Sequence, residues 1–310
     1  MLQTFLALAP IFLLIAVGWA AKALWLREDS LWRPIEKLAY NLLIPAFVVH
    51  DLYNADLATL PFSRMVIALL GAVLIMAALL ILLRPLLSRF LVMGDAGFTS
   101  VFQGSTRANF FITLAAAPVL LPADGAALVI IAVAFFTVLV NVLSVLVLAR
   151  WGTQGEANIG QLAKRLATNP FILAAVLGIL LNLTGIPVPK VIDSSIGMIA
   201  GAGVPVALLT AGAGLRLASI GRHLPGILMA STGKLVLVPA IAVGLGVLLG
   251  LEASVLAMLA LFHSQPTATT SYVLARQMGG DHELMAAILT SQTLIAILSV
   301  PAMLALLAGL

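Results

Sequence analysis

Two polar stretches interrupt otherwise apolar parts of this chain: FQGSTRANFFIT at 102–113 and FHSQPTATTSY at 262–272. Each lies in the middle of an apolar segment long enough to cross the roughly 30 Å hydrocarbon core of a bilayer. Pro266 removes a backbone donor and opens a helix, whereas Gly104 and the small polar residues after it are weak helix formers. We therefore predict two broken helices, one interrupted near residues 106–109 and the other around Pro266.

The composition places the whole chain in a membrane. Of the 310 residues, 62% are hydrophobic and only 9% are charged, whereas an ordinary soluble domain has roughly a quarter charged residues. The net charge of +4 then indicates basic cytoplasmic loops rather than a nucleic-acid partner. The absence of cysteine excludes thiolate metal sites and iron–sulfur clusters, and we expect neither a metal nor a cofactor.

Apolar windows predict ten membrane-spanning helices. The chain divides into a first unit of five helices at 1–151, a polar cytoplasmic linker at 152–169 and a second unit at 170–310. The first five predicted spans run about 2–24, 32–52, 64–89, 97–121 and 125–150. The second five run about 170–187, 191–216, 226–250, 253–277 and 283–308.

The distribution of basic residues predicts the orientation of these spans. Twelve of the sixteen Lys and Arg residues fall in alternate connections, which are therefore cytoplasmic, so both termini are expected outside the cytoplasm. They are Lys22, Arg27, Arg33, Lys37, Arg84, Arg89, Arg150, Lys164, Arg165, Arg216, Arg222 and Arg276. Because each half has an odd number of spans, duplicated halves would enter the membrane from opposite sides as an inverted repeat.

A shift of 160 residues supports such a repeat. It superposes Pro10 on Pro170 and Pro45 on Pro205, and it sets DLATL at 56–60 on RLASI at 216–220. The two polar stretches then occupy matching positions in the fourth and ninth spans. Broken helices at matching positions of inverted halves indicate a central substrate site, where the amino ends of half-helices present partial positive charge to an anion. This arrangement favours a carboxylate.

The charges inside the spans agree with an anionic substrate. Arg107 lies about ten residues into the fourth span and Lys234 about eight into the eighth, and no acidic residue lies clearly within a span. The negative charge that neutralises them can therefore arrive with the substrate. Alternatively, Arg107 donates to carbonyls freed by the break, and Lys234 extends its stem to cytoplasmic water. The predicted substrate-binding residues are Thr106, Arg107, Asn109, Lys234, Gln265, Pro266, Thr267, Thr269 and Thr270.

Other polar residues in the spans have weaker assignments. His263 and Lys234 are candidates for proton coupling, although a lone helical histidine can equally serve packing. The single threonines can likewise be ordinary packing residues between helices. Amide side chains that point inward would line the cavity; they are Asn41, Gln103, Asn141 and Gln292.

Four stretches resemble the auxin efflux carrier family, which includes plant auxin exporters and bacterial malonate or malate permeases. They are KLAYNLLIPAFV at 37–48, RANFF at 107–111, SQPTATTSYVLARQMGGD at 264–281 and ILTSQTLIAILSVP at 288–301. The resemblance implies an all-α fold similar to sodium/proton antiporters, with two inverted five-helix repeats in which the broken helices 4 and 9 cross. It also implies a homodimer, alternating access, and an amide of Asn109 that faces the substrate carboxylate beside the crossover proline, Pro266. Phe110 departs from the pattern, since many members have a small residue there.

We therefore predict a non-enzymatic secondary transporter of small organic anions, mono- or dicarboxylates such as malonate or malate, in the lipid bilayer of a bacterial inner membrane. A nucleotide-binding motif is missing from the sequence, so no ATPase subunit is expected. The alternatives are a cation/proton antiporter of similar fold, which needs buried carboxylates, and an anion sensor that transports nothing. An intramembrane hydrolase built on Ser264 or Ser271 with His263 is disfavoured, because adjacent helical residues point about 100° apart.

Overall fold

A computed structural model of the protein describes residues 2–57, 62–90, 94–121, 125–153, 159–217 and 223–307. Every regular element in these ranges is a helix. The first half contains α1 (Leu2–Leu24), α2 (Asp29–Leu38), the π-helical turn π1 (Ala39–Leu43), α3 (Ile44–Tyr53), α4 (Phe62–Phe90), α5 (Asp95–Thr106), α6 (Phe110–Leu120) and α7 (Gly125–Trp151). The second half contains α8 (Ile159–Ala167), α9 (Pro170–Thr184), α10 (Lys190–Ala213), α11 (Leu224–Thr232), the π-helical turn π2 (Gly233–Leu237), α12 (Val238–Leu248), α13 (Ala253–His263), α14 (Thr269–Met278) and α15 (His282–Leu307).

The lengths and compositions of these helices are those of a polytopic membrane protein. Among the described residues, six continuous helical stretches are long and apolar enough to cross a bilayer. They are Leu2–Leu24, Phe62–Leu87, Gly125–Trp151, Lys190–Ala213, Leu224–Leu248 and His282–Leu306. The helices α9 and α13 are apolar but shorter, and large apolar side chains such as Leu13, Leu82 and Leu248 are exposed on the outside. Such a surface suits lipid rather than water.

Two helical runs are widened by π-helical turns just before a proline. Pro45 follows π1 and Pro239 follows π2, each near the start of the next α-helical segment. Because a proline ring clashes with the carbonyl four residues earlier and donates no hydrogen bond to it, the turn before the proline widens. These turns place two functional candidates: π1 carries Tyr40 and Asn41, and π2 carries Lys234.

Several boundaries differ from those predicted. The sixth span ends at Thr184 because Gly185 adopts a left-handed conformation with φ of 62°, and the seventh ends at Ala213. The linker at 152–169 contains α8, whose apolar residues recur at helical spacing although its polarity resembles that of a loop. Most of the sequence match between 56–60 and 216–220 lies outside the described residues.

A compact contact between α1 and α10 depends on two glycines. A Cβ added to Gly18 would lie 2.0 Å from the carbonyl oxygen of Leu209, and one added to Gly212 would lie 1.9 Å from that of Ile15. Any side chain would therefore separate two helix backbones. Around this contact the two helices join α6, α13 and α15 in an apolar cluster. Its buried members are Leu8, Ile11, Phe12, Ile15, Ile112, Ala116, Leu208, Leu261, Ala296 and Val300.

We predict that Gly212→Ala destabilises the protein by about 1–3 kcal/mol, the usual range for an overpacked contact. The measurement is the unfolding midpoint of the purified protein in detergent. Gly201→Ala is the matched control in the same helix, because a Cβ there meets no atom within 4 Å. Equal midpoints for the two variants would contradict the close contact.

Candidate functional site

The two polar stretches of the sequence are both places where a helix stops and restarts. In the first, α5 ends at Thr106 and α6 begins at Phe110, with Arg107 and Asn109 in extended conformations between them. In the second, α13 ends at His263 and α14 begins at Thr269 after an extended Ala268. Each break leaves backbone groups without their helical partners, which must be satisfied elsewhere because they are buried.

The two breaks meet, and each supplies hydrogen bonds to the other. The backbone amide of Asn109 donates to the carbonyl of Pro266 at 2.7 Å. The side chain of Gln292, in α15, bonds to both interrupted segments. It accepts from the backbone amide of Thr267 at 2.8 Å and donates to the carbonyl of Gly104 at 3.0 Å. The Thr267 hydroxyl also donates to the Gln103 carbonyl at 3.3 Å. We call this arrangement the crossing.

Arg107 is held inside the protein by neutral groups. Its guanidinium donates to Asn141 Oδ1 at 3.0 Å, Ser144 Oγ at 3.3 Å and Thr270 Oγ1 at 3.0 Å. The residue is only 6% exposed, and within the described ranges no carboxylate pairs with it. Its positive charge is therefore solvated by dipoles but not neutralised, which favours a nearby anion.

A central cavity of about 260 Å³ lies beside the crossing and is lined by both helix starts. The Asn109 side chain begins α6 by accepting from the Phe111 amide at 3.1 Å through Oδ1, and its Nδ2 makes no hydrogen bond to another described residue. The amino end of α14 also faces this cavity. The lining residues are Arg33, Glu36, Lys37, Ala39, Tyr40, Asn41, Asn109, Phe110, Phe111, Ala207, Thr210, Ala211, Ala268, Thr269 and Thr270. Two positive helix ends and a free amide donor are suited to an anion.

The central cavity adjoins two others. It shares Tyr40, Phe110, Ala268 and Thr270 with an inner cavity of about 110 Å³ that Arg107 and Asn141 line. On its other side it shares Arg33, Glu36, Thr210 and Thr269 with a vestibule of about 630 Å³.

The vestibule is predominantly basic. Lys22, Arg33, Arg216 and Arg276 line it together with Asp29 and Glu36. Asp29 accepts from Lys22 at 2.5 Å, and this ammonium holds the pKa of Asp29 below its usual value. The charges that line the vestibule therefore give it positive character on the side away from Arg107.

Residues 3–304 match the sequence profile of a family described as membrane transport protein. This match covers almost the entire chain. The chain belongs to the auxin efflux carrier family. Comparison with curated proteins gives no matching relative.

The residues predicted from the sequence to bind the substrate, couple protons or line the cavity fall into two groups. Arg107, Asn109, Thr269 and Thr270 line the central or inner cavity, as do the amides of Asn41 and Asn141. The others line none of these three cavities and lie buried in or beside the crossing: Gln103, Thr106, Lys234, His263, Gln265, Pro266, Thr267 and Gln292. The side chains of this second group therefore do not line the space of the three cavities, and their predicted roles stay predictions.

Gln292 differs most from its prediction. We expected an amide that lines the cavity, whereas the side chain is buried and bonded to both breaks. Thr106 similarly donates to the Phe102 carbonyl of its own helix, and Gln265 to that of Leu261. A single sequence does not reveal which of several buried amides will meet backbone groups far away in the chain.

Several residues that line or support the candidate site were not predicted from the sequence. Ser144 lies three residues after Asn141 in α7, so helical periodicity alone places both on one face toward Arg107. Tyr40 lines two of the cavities but was not singled out, because it lies in an apolar segment; Phe110, noted only as a departure from the family pattern, lines the same two cavities. Arg33 was counted only among the basic residues of the cytoplasmic connections, and Glu36 was not singled out, because the start of this segment is strongly polar.

We predict that Gln292→Leu destabilises the crossing by about 2–6 kcal/mol. The variant leaves the buried amide of Thr267 and the buried carbonyl of Gly104 without a hydrogen-bond partner, and each unpaired group costs about 1–3 kcal/mol. Gln265→Leu is the matched control, since that side chain bonds only to the carbonyl of Leu261, in the helix that ends just before it, and does not join the two breaks. Thermal unfolding in detergent measures both variants. A Gln292→Leu protein as stable as Gln265→Leu would contradict the bridging role.

Proposed function

We propose that this protein is a secondary transporter that carries small organic anions, mono- or dicarboxylates such as malonate or malate, by alternating access. The main support is the central cavity, in which the Asn109 amide and the amino ends of α6 and α14 converge. In this proposal one carboxylate oxygen accepts from Nδ2 of Asn109, and the backbone amides and threonine hydroxyl at the start of α14 bind the other. Phe110, Ala207 and Ala211 would enclose the carbon skeleton.

The charge balance of the interior supports an anion over a cation. Among the described residues, Arg107 and Lys234 are buried, whereas no Asp or Glu side chain is. A cation/proton antiporter depends on buried carboxylates that release and bind its ion. A carboxylate entering beside Arg107 would instead reduce the electrostatic penalty that the interior already has.

The asymmetry of the cavities supports an inward-open state of this carrier. The vestibule is lined by Lys22, Arg33 and Arg276, which the basic-residue distribution assigns to the cytoplasmic side. At the predicted outer side, Leu8, Ile11 and their partners form the apolar cluster that closes over α6 and α13. Alternating access would require this cluster to open while the vestibule closes.

The wider architecture forms part of the same proposal. Ten spans in two inverted five-helix repeats would pair α5–α6 with α13–α14, so that the crossing marks the pseudosymmetry axis. A bacterial inner membrane, termini in the periplasm and a homodimer also belong to this proposal. The continuous spans, the two interrupted segments and the family membership support it.

Two substitutions test the anion site by binding. Asn109→Asp keeps the oxygen that caps α6 but replaces the amide donor with a negative charge, so malonate affinity should fall at least 100-fold. Arg107→Gln keeps a donor for Asn141 or Ser144 but removes the charge, and should weaken binding about 10- to 100-fold, since a unit charge several Å away contributes on the order of 2–3 kcal/mol at an effective dielectric constant near 20. Titration calorimetry of the purified proteins measures both effects.

Asn54→Asp is the control. Asn54 is exposed at the end of α3, so this substitution adds the same charge away from the cavities. Binding of cations or neutral sugars that both cavity variants leave unchanged would contradict the anion assignment. Counterflow of radiolabelled malonate in liposomes distinguishes a carrier from a sensor, because a sensor binds malonate without moving it.

A further inference from the structure

A second group of polar side chains lies behind the crossing, outside the three cavities. Lys234 of π2 is fully buried, and its Nζ makes no hydrogen bond among the described residues. His263, at the end of α13, is equally buried, and neither ring nitrogen has a hydrogen bond of normal geometry, although the ring faces the Leu69 carbonyl. The Gln103 amide and the Ser105 hydroxyl nearby are also unpaired.

Lys234 and His263 both lie against the ring of Phe136. The Phe136 ring centroid lies 6.0 Å from Nζ of Lys234 and 6.0 Å from the centroid of the His263 ring. Ser105 adjoins π2, because a Cβ added to Gly233 would lie 2.8 Å from its Oγ. Phe136 also lines the inner cavity with Arg107. One aromatic side chain therefore separates the proposed anion path from the two buried bases.

The remaining charges around Lys234 do not neutralise it. The described segments that pack against π2 and His263 place their other ionisable groups at or near helix ends, apart from Arg107, which lies at the inner cavity. These groups are Arg64, Arg84, Asp95, Arg150, His223, Glu252, Asp281, His282 and Glu283. A lone ammonium in such surroundings is strongly disfavoured, and two neighbouring cations even more so. Burial without hydrogen-bond partners therefore disfavours the charged form of both side chains.

We propose that Lys234 is the proton site of this transporter, and that it binds one proton each time a carboxylate occupies the cavity beside Arg107. This inference rests on the proposed function. The arriving negative charge stabilises the ammonium through the low-dielectric interior, and Phe136 supports it through a cation–π contact. Anion and proton would then move together.

The linkage gives a definite sign. Because Lys234 is neutral when the site is empty and protonated when it is occupied, binding takes up a proton, and carboxylate affinity falls as the pH rises. The expected slope is up to about tenfold in the dissociation constant per pH unit, with uptake of about one proton per malonate. A transporter without this coupling binds fully ionised malonate equally well across the same range.

Titration calorimetry of malonate into the purified protein at pH 7.5, in HEPES and in Tris, measures the protons exchanged. The binding enthalpies should differ between buffers by the ionisation enthalpy of about one proton in the wild type, and should coincide in Lys234→Met. Methionine is unbranched and apolar, so the variant should be at least as stable as the wild type. Lys190→Met is the matched control: this exposed lysine lies outside the cavities, and its variant should retain the uptake.

The outcomes separate the two proposals. Absence of malonate binding refutes the proposed function, and this inference with it. Binding with identical enthalpies in both buffers refutes only the proton site. Proton uptake that persists in Lys234→Met assigns the proton elsewhere, and complete loss of malonate binding in that variant places Lys234 in the substrate site; either result overturns the inference.

Discussion

The structure depends on the satisfaction of backbone hydrogen bonds where two helices are broken inside an apolar bundle. In lipid, an unpaired amide or carbonyl costs several kcal/mol, so a break survives only when protein or a wet cavity supplies partners. Here the backbone amide of Asn109 donates to the Pro266 carbonyl, and the Gln292 side chain bonds to both interrupted segments. The groups left over at the starts of α6 and α14 face a cavity. The same breaks that threaten stability therefore create the positive character that an anion site needs.

Charge reinforces this arrangement. A buried guanidinium with only neutral partners is poised for an anion, because a carboxylate gains its attraction while the protein loses none of its own ion pairs. The apolar seal around Leu8 and Ile112 and the polar vestibule around Arg33 give the site one closed and one open side. In the proposed alternating-access mechanism, transport would exchange which side is sealed, with the crossing as the fixed element.

Much of this could be predicted from sequence, because the strongest signals are local. Pro266 and the small polar run after Gly104 predicted breaks where the structure has them, and apolar length predicted a polytopic membrane protein. The role of Gln292 could not be predicted, since its partners lie 25 and 188 residues away. Tyr40 and Phe110 carry no polar signal, and α8 was hidden in a polar linker. Long-range contacts, rather than element identity, set the limit.

The most direct test is to locate a bound carboxylate by anomalous diffraction from crystals grown with a brominated monocarboxylate. The account predicts bromine density in the central cavity, with the carboxylate between Nδ2 of Asn109 and the first amides of α14. Density confined to the vestibule around Arg33 and Arg276, with the space beside Asn109 filled only by water, would contradict it.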